Sequence, residues 1–137
     1  MTKTFAVLAL VISIPLAGTA LASEHRASTF QETCSNLGYR APDLTAECKT
    51  RIGATVFSSV ALRGIENIDG TLRHSSGRKT GTFYKTCRDI SVSKGGKAGA
   101  RLMAECQRID GSWVRSSTGI RGVDNIDGNL EYRFQEN

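Results

Sequence analysis

The chain repeats itself, and the repeat limits its fold more than any other feature of the sequence. Phe30-Gln31-Glu32-Thr33-Cys34 returns as Phe83-Tyr84-Lys85-Thr86-Cys87, 53 positions later. Leu44-Thr45-Ala46-Glu47-Cys48 returns as Leu102-Met103-Ala104-Glu105-Cys106, now 58 positions later. The spacing of 58 then holds: Ser58-Ser59 with Ser116-Ser117, Arg63-Gly64 with Arg121-Gly122, Asn67-Ile68-Asp69-Gly70 with Asn125-Ile126-Asp127-Gly128, and Leu72 with Leu130. The two units run 30–73 and 83–131, and internal repetition of this kind governs every later inference about architecture. The step from 53 to 58 places a five-residue insertion between Cys87 and Cys106. Its sequence, Ser93-Lys94-Gly95-Gly96-Lys97-Ala98-Gly99, has the composition of an exposed, flexible and dispensable loop.

Each unit reads as β-structure. Thr55 to Leu62 and its counterpart Trp113 to Ile120 combine β-branched with small polar residues. Asn-Ile-Asp-Gly-x-Leu follows in both. An Asp-Gly between apolar residues is a hairpin signal, because a type I′ turn needs positive φ, which Gly adopts freely. Ile68 and Leu72 are expected to point inward around the first turn, and Ile126 and Leu130 around the second. Pro42–Cys48 and Ala100–Cys106 read as short turns, and helical periodicity is weak throughout. Trp113 is expected in the core.

The start of the chain reads as an export signal covering 1–22: Lys3, an apolar run Phe5–Leu16, then Ala20-Leu21-Ala22, with a mature start at Ser23. The expected protein is therefore a secreted or periplasmic domain, 23–137, with no membrane span after cleavage. The formal charge is +5, but the cations are scattered and no run of five like charges occurs, which argues against nucleic acid. Four cysteines in an exported domain argue for disulfides. Symmetry permits either a local or a crossed pairing, and proximity along the chain favours Cys34–Cys48 and Cys87–Cys106. The cysteine spacings lack the short pairs of zinc sites, and His25 and His74 show no catalytic partner, so no metal or cofactor is expected.

Phe-x-x-Thr-Cys, Leu-x-Ala-x-Cys, a Ser-Ser strand and Asn-Ile-Asp-Gly-x-Leu, in that order and in duplicate, resemble the cyanovirin-N homology family from about Phe30 to Tyr132. The resemblance implies an all-β, elongated, pseudo-symmetric fold with strands exchanged between halves: Ser28 to about Arg63 plus Val123–Arg133, and about Gly64 to Arg121. It implies a lectin whose partners are glycans, high-mannose type above all, with one site in each half and no metal. The first site would gather Thr29, Glu32, Thr33, Lys49, Thr50, Arg51, Asn125 and Asp127. The second would gather Glu66, Asn67, Asp69, Thr82, Lys85, Thr86, Gln107, Arg108 and Ile109. Asp and Glu accept hydrogen bonds, Arg and Lys donate, and Asn and Thr do both, as vicinal sugar hydroxyls require. Lys49, Arg51 and Ile109 depart from the best known member, which carries an acidic, a hydroxyl and a basic residue there.

Asp69, Asp127, Asn67 and Asn125 also have a structural reading, as turn formers and backbone partners in the hairpins. An enzyme is not expected: glycoside hydrolysis needs two carboxylates roughly 5–10 Å apart, whereas the repeated Glu47 and Glu105 fall in different halves. The alternative on this scaffold is a sugar-inactive structural or protein-interaction module. The connection between the units is four residues longer than in that member, which favours a monomer over a domain-swapped dimer.

Overall fold

The computed structural model describes residues 26–75 and 79–133; the expected export signal and His25 lie outside them. Ten strands follow in order: β1 Cys34–Arg40, β2 Asp43–Lys49, β3 Thr55–Ala61, β4 Ile65–Ile68, β5 Thr71–His74, β6 Cys87–Lys94, β7 Ala100–Gln107, β8 Trp113–Ile120, β9 Val123–Ile126 and β10 Asn129–Tyr132. Two 3-10 turns, Phe30–Glu32 and Phe83–Lys85, precede β1 and β6. The fold is all-β. It comprises two three-stranded antiparallel sheets, β1-β2-β3 and β6-β7-β8, and two hairpins, β4-β5 and β9-β10.

Strands are exchanged between the halves. Hairpin β9-β10 packs on β1-β2-β3, and hairpin β4-β5 packs on β6-β7-β8. The paired serines make the junctions: Leu130 N donates to Ser58 Oγ and Leu72 N to Ser116 Oγ, each at 2.9 Å. At each hairpin tip, Asp then Gly take positive φ, 48° and 87° at Asp69-Gly70 and 51° and 92° at Asp127-Gly128. The glycines answer a second need. A Cβ on Gly70 would lie 2.6 Å from Val114 Cγ2, and one on Gly128 2.6 Å from Val56 Cγ2. No side chain fits between tip and sheet.

The core is a paired set in which the repeats supply equivalent residues: Phe30 and Phe83, Leu44 and Leu102, Ala46 and Ala104, Leu62 and Ile120, Ile65 and Val123, Leu72 and Leu130. The disulfides are the local ones, Cys34–Cys48 and Cys87–Cys106, each joining directly opposed residues of adjacent strands. A bulge interrupts each of these strand pairs, with Asn36 and Asp89 at φ of 50° and 52°. Asn and Asp are the side chains that best tolerate the left-handed region.

Four local expectations fail. Pro42–Cys48 and Ala100–Cys106 are not turns: Asp43 and Ala100 begin the central strands of the two sheets. Along β7, Leu102, Ala104 and Cys106 point inward while Arg101, Met103 and Glu105 face out, which is strand alternation. Ile68 pairs with Thr71 beside the turn and is 55% exposed, and Ile126 is only half-buried; Ile65 and Val123 are the inward residues. Trp113 lies on the outer face of β8, with the Arg88 guanidinium 3.9 Å from its ring centroid. The insertion is not a free loop either. Ala98 is buried, its carbonyl accepts from Ser28 N at 2.8 Å, and it touches the backbone at Gly119.

Candidate carbohydrate site

Each hairpin tip meets the far sheet beside a disulfide, and there the candidate residues come together twice. In the second half, Asn67 on β4 is the hub. Its Nδ2 donates to Thr86 Oγ1 and to the Gln107 carbonyl, both at 2.9 Å, and its Oδ1 accepts from Gly70 N at 2.7 Å. Asp69 Oδ1 accepts from Ile109 N at 3.0 Å. Glu66 accepts from the backbone N–H and hydroxyl of Thr82. Arg108 N donates to Ser112 O, closing the turn that carries Ile109 into the cluster.

The first half repeats this with its own residues. Asn125 Nδ2 donates to Thr33 Oγ1 and to the Lys49 carbonyl, both at 2.9 Å, and its Oδ1 accepts from Gly128 N at 2.8 Å. Asp127 Oδ1 accepts from Arg51 N at 2.8 Å, and Thr50 Oγ1 accepts from Ala54 N. The asparagines and aspartates therefore hold hairpin to sheet, and much of their hydrogen-bonding capacity is spent internally. Several other candidates contribute backbone atoms to the frame: Lys49 and Gln107 their carbonyls, Arg51 and Ile109 their amides. The side chains of Glu32, Lys49, Arg51, Lys85 and Arg108 are exposed around it, and that of Ile109 is 92% exposed.

Asp124 was missed by the sequence reading. It occupies the place of Glu66, at the same spacing of 58, and that equivalence was the available signal. The two acids live differently. Asp124 accepts from both Arg26 guanidinium nitrogens, at 2.8 and 3.3 Å, and from Thr29 Oγ1 at 2.7 Å, with Arg133 Nε at 3.9 Å. Its side chain is 10% exposed. Burial pushes its carboxyl upward, but the hydrogen bonds from Arg26 and Thr29 and the charges of Arg26 and Arg133 outweigh this and hold it below the ordinary carboxylate value. Glu66 makes no ion pair among the described residues, and Lys85, whose backbone N–H donates to the Thr82 carbonyl, makes none either. The clusters are alike in frame and differ at this acid: Asp124 is held by Arg26, whereas Glu66 is met only by Thr82.

Among the described residues no three His, Cys, Asp or Glu side chains converge on a metal position. No helix among them is long and apolar enough to cross a membrane.

The fold recurs in solved structures. The chain is similar to microvirin, solved as a mannobiose complex, at 32% identity and TM-score 0.58, covering 77% of this chain and 99% of that one. It is similar to the CVNH protein of Gibberella zeae at 26% identity and TM-score 0.54, covering 75% and 95%. A MoCVNH3 variant solved in complex with (N-GlcNAc)4 shares the fold at TM-score 0.61 and 18% identity, covering 79% and 99%. No match was found among curated protein sequences. The CVNH domain model matches residues 30–131, and the chain belongs to that family.

Proposed function

We propose that the protein is a secreted, monomeric lectin that binds mannose-containing glycans without catalysis, led by the second-half site around Glu66, Thr82, Lys85 and Thr86. The observation that carries the reading is the contrast between Asp124, held by Arg26, and Glu66, which makes no ion pair among the described residues. A sugar hydroxyl can donate to Glu66 and accept from Lys85 without first breaking an ion pair, whereas at Asp124 it must displace a two-point arginine contact. The similarity to microvirin, solved with mannobiose, supports mannose as the sugar. A shallow polar site binds weakly, because its hydrogen bonds mostly replace those to water. The first site acts as a weaker second contact, and where one branched glycan reaches both, apparent affinity rises by about 10²–10⁴.

Calorimetric titration with mannobiose tests this. The wild-type protein should bind, and Glu66→Ala with Lys85→Ala should lose at least about tenfold in affinity. Unchanged affinity in that double variant would reject the site, and no heat with any mannose disaccharide would reject the sugar.

A further inference from the structure

The two three-stranded sheets are duplicates in backbone, yet their outer faces place charge differently, with Arg40 across from Asp43 on one and Ser93 across from Arg101 on the other. On β6-β7-β8 the register places Arg88, Glu105 and Arg115 in one row, Ser91, Met103 and Ser117 in the next, and Ser93, Arg101 and Gly119 in the third. At the equivalent places the sister sheet has Asp43 for Arg101, Phe57 for Arg115 and Ser35 for Arg88, while Glu47 matches Glu105. The fold therefore forms with an acid, an aromatic ring and a hydroxyl where this face has three arginines, so the scaffold does not demand the cations.

Their pairing points the same way. Arg88 is neutralised by Glu105 at 3.0 Å and stacked on Trp113. Asp89 adds an acid beside that end, at the Glu105 carboxylate. Toward the other end, Arg101 Nη2 donates to Ser117 Oγ at 2.6 Å, while Arg115, across the strands from Glu105 and attracted to the same carboxylate, makes no hydrogen bond or contact ion pair among the described residues. Met103, Arg115, Ser116 and Ser117 line a shallow open cleft there. Exposed Lys94 and Lys97 adjoin it through the 95–99 loop, in which Gly96 approaches the Arg101 side chain. Two guanidinium groups beside a serine hydroxyl and a small apolar floor match one oxyanion carried on a compact body.

The geometry points to a second ligand site on this face, formed by Arg101, Arg115 and Ser117, that binds an acidic saccharide bearing a sulfate or carboxylate group. It lies on the sheet face opposite the one that receives hairpin β4-β5, so it is separate from the mannose site and does not rest on it. A guanidinium pairs with a sulfate or carboxylate through two parallel hydrogen bonds, which a neutral sugar does not offer. The pocket holds a single oxyanion and not a spaced row of them, which favours a saccharide over a nucleic acid backbone.

The test is titration of the intact protein with dextran sulfate, with carboxymethyl dextran of equal charge density, with neutral dextran, and with single-stranded oligodeoxythymidine. Both acidic dextrans, or one of them, should bind, and neutral dextran should not. Arg101→Ser with Arg115→Ser should weaken acidic-dextran binding by at least about tenfold, in line with losing two charged hydrogen-bonding groups. Arg40→Ser with Lys79→Ser, which removes the same charge elsewhere, should weaken it less than about threefold. Mannobiose affinity should not move in either variant, which also shows that both are folded. Equal loss in the two variants, retained binding in the Arg101/Arg115 variant, or oligodeoxythymidine binding as tight as that of the acidic dextrans would overturn the assignment.

Discussion

Replacing Asn67 by Ala removes three hydrogen bonds at once: two from Nδ2, at 2.9 Å to Thr86 Oγ1 and to the Gln107 carbonyl, and one accepted from Gly70 N at 2.7 Å. Each such bond is worth about 0.5–1.5 kcal/mol net. Gly70 is buried, so its N–H is left without a partner and adds to the cost. About 3 kcal/mol of destabilisation follows, a large share of the roughly 5–15 kcal/mol of a whole domain. Equilibrium urea unfolding reads this directly. With a slope of about 1–3 kcal/mol/M, the midpoint should fall by at least about 1 M. Asn125→Ala should do the same, because it loses the matching bonds to Thr33, Lys49 and Gly128. Lys85→Ala, exposed in the same cluster, should stay within about 0.5 kcal/mol. A loss below about 1 kcal/mol for both asparagine variants would refute the claim that these side chains lock hairpin to sheet. Binding losses in those variants would then report the sugar and not the scaffold.

Gly99→Ala and Gly111→Ala separate conformation from packing, since both glycines have φ of 89°. A Cβ on Gly111 meets nothing within 4 Å, whereas one on Gly99 falls 2.2 Å from Gln31 Nε2 and 2.6 Å from Ser28 O. Gly111→Ala should cost about 1–2 kcal/mol for backbone alone, and Gly99→Ala a further 1–3 kcal/mol, by urea unfolding; equal losses would mean that the 95–99 loop yields freely. Asp124 has a lowered carboxyl in the folded state, so its contribution to stability is complete above the ordinary unfolded value of about 3.9 and is lost as pH falls through the folded value. The stability gap between wild type and Asp124→Asn should therefore narrow below about pH 4, and a gap independent of pH would contradict the pairing with Arg26. Reduction of both disulfides, which close separations of 14 and 19 residues, should cost about 3 kcal/mol for each on the chain-entropy model, visible as a lower melting temperature.

The duplicated motifs carried most of the architecture, because each encodes a local physical demand. Asp-Gly demands positive φ, and paired cysteines demand opposed strand positions. The Ser-Ser strand supplies the hydroxyl that receives the partner hairpin. What escaped the sequence depends on contacts made across the halves. Leu102-Met103-Ala104-Glu105 has local helix preference, and only its place between β6 and β8 makes it a strand, although the alternation of Leu102, Ala104 and Cys106 was there to be read. Ala98 reads as loop filler until Ser28 is brought against it by the fold. Ile68 reads as core until the two-residue turn fixes its parity and turns it outward. The candidate-site residues converge as two clusters, but the frame role of Asn67 and Asn125, and the arginine clamp on Asp124, rest on distances that no spacing conveys.

The most direct test of the central claim is an NMR titration of the isotope-labelled protein with mannobiose. Amide shifts should appear first at Glu66–Asp69, Thr82–Thr86 and Gln107–Ile109. The amides of Thr29–Thr33, Lys49–Arg51 and Asn125–Asp127 should follow only at higher ligand concentration, because Arg26 must release Asp124 before that site can receive a sugar. First shifts in the Asn125 cluster, or simultaneous shifts of equal size in both, would contradict the account.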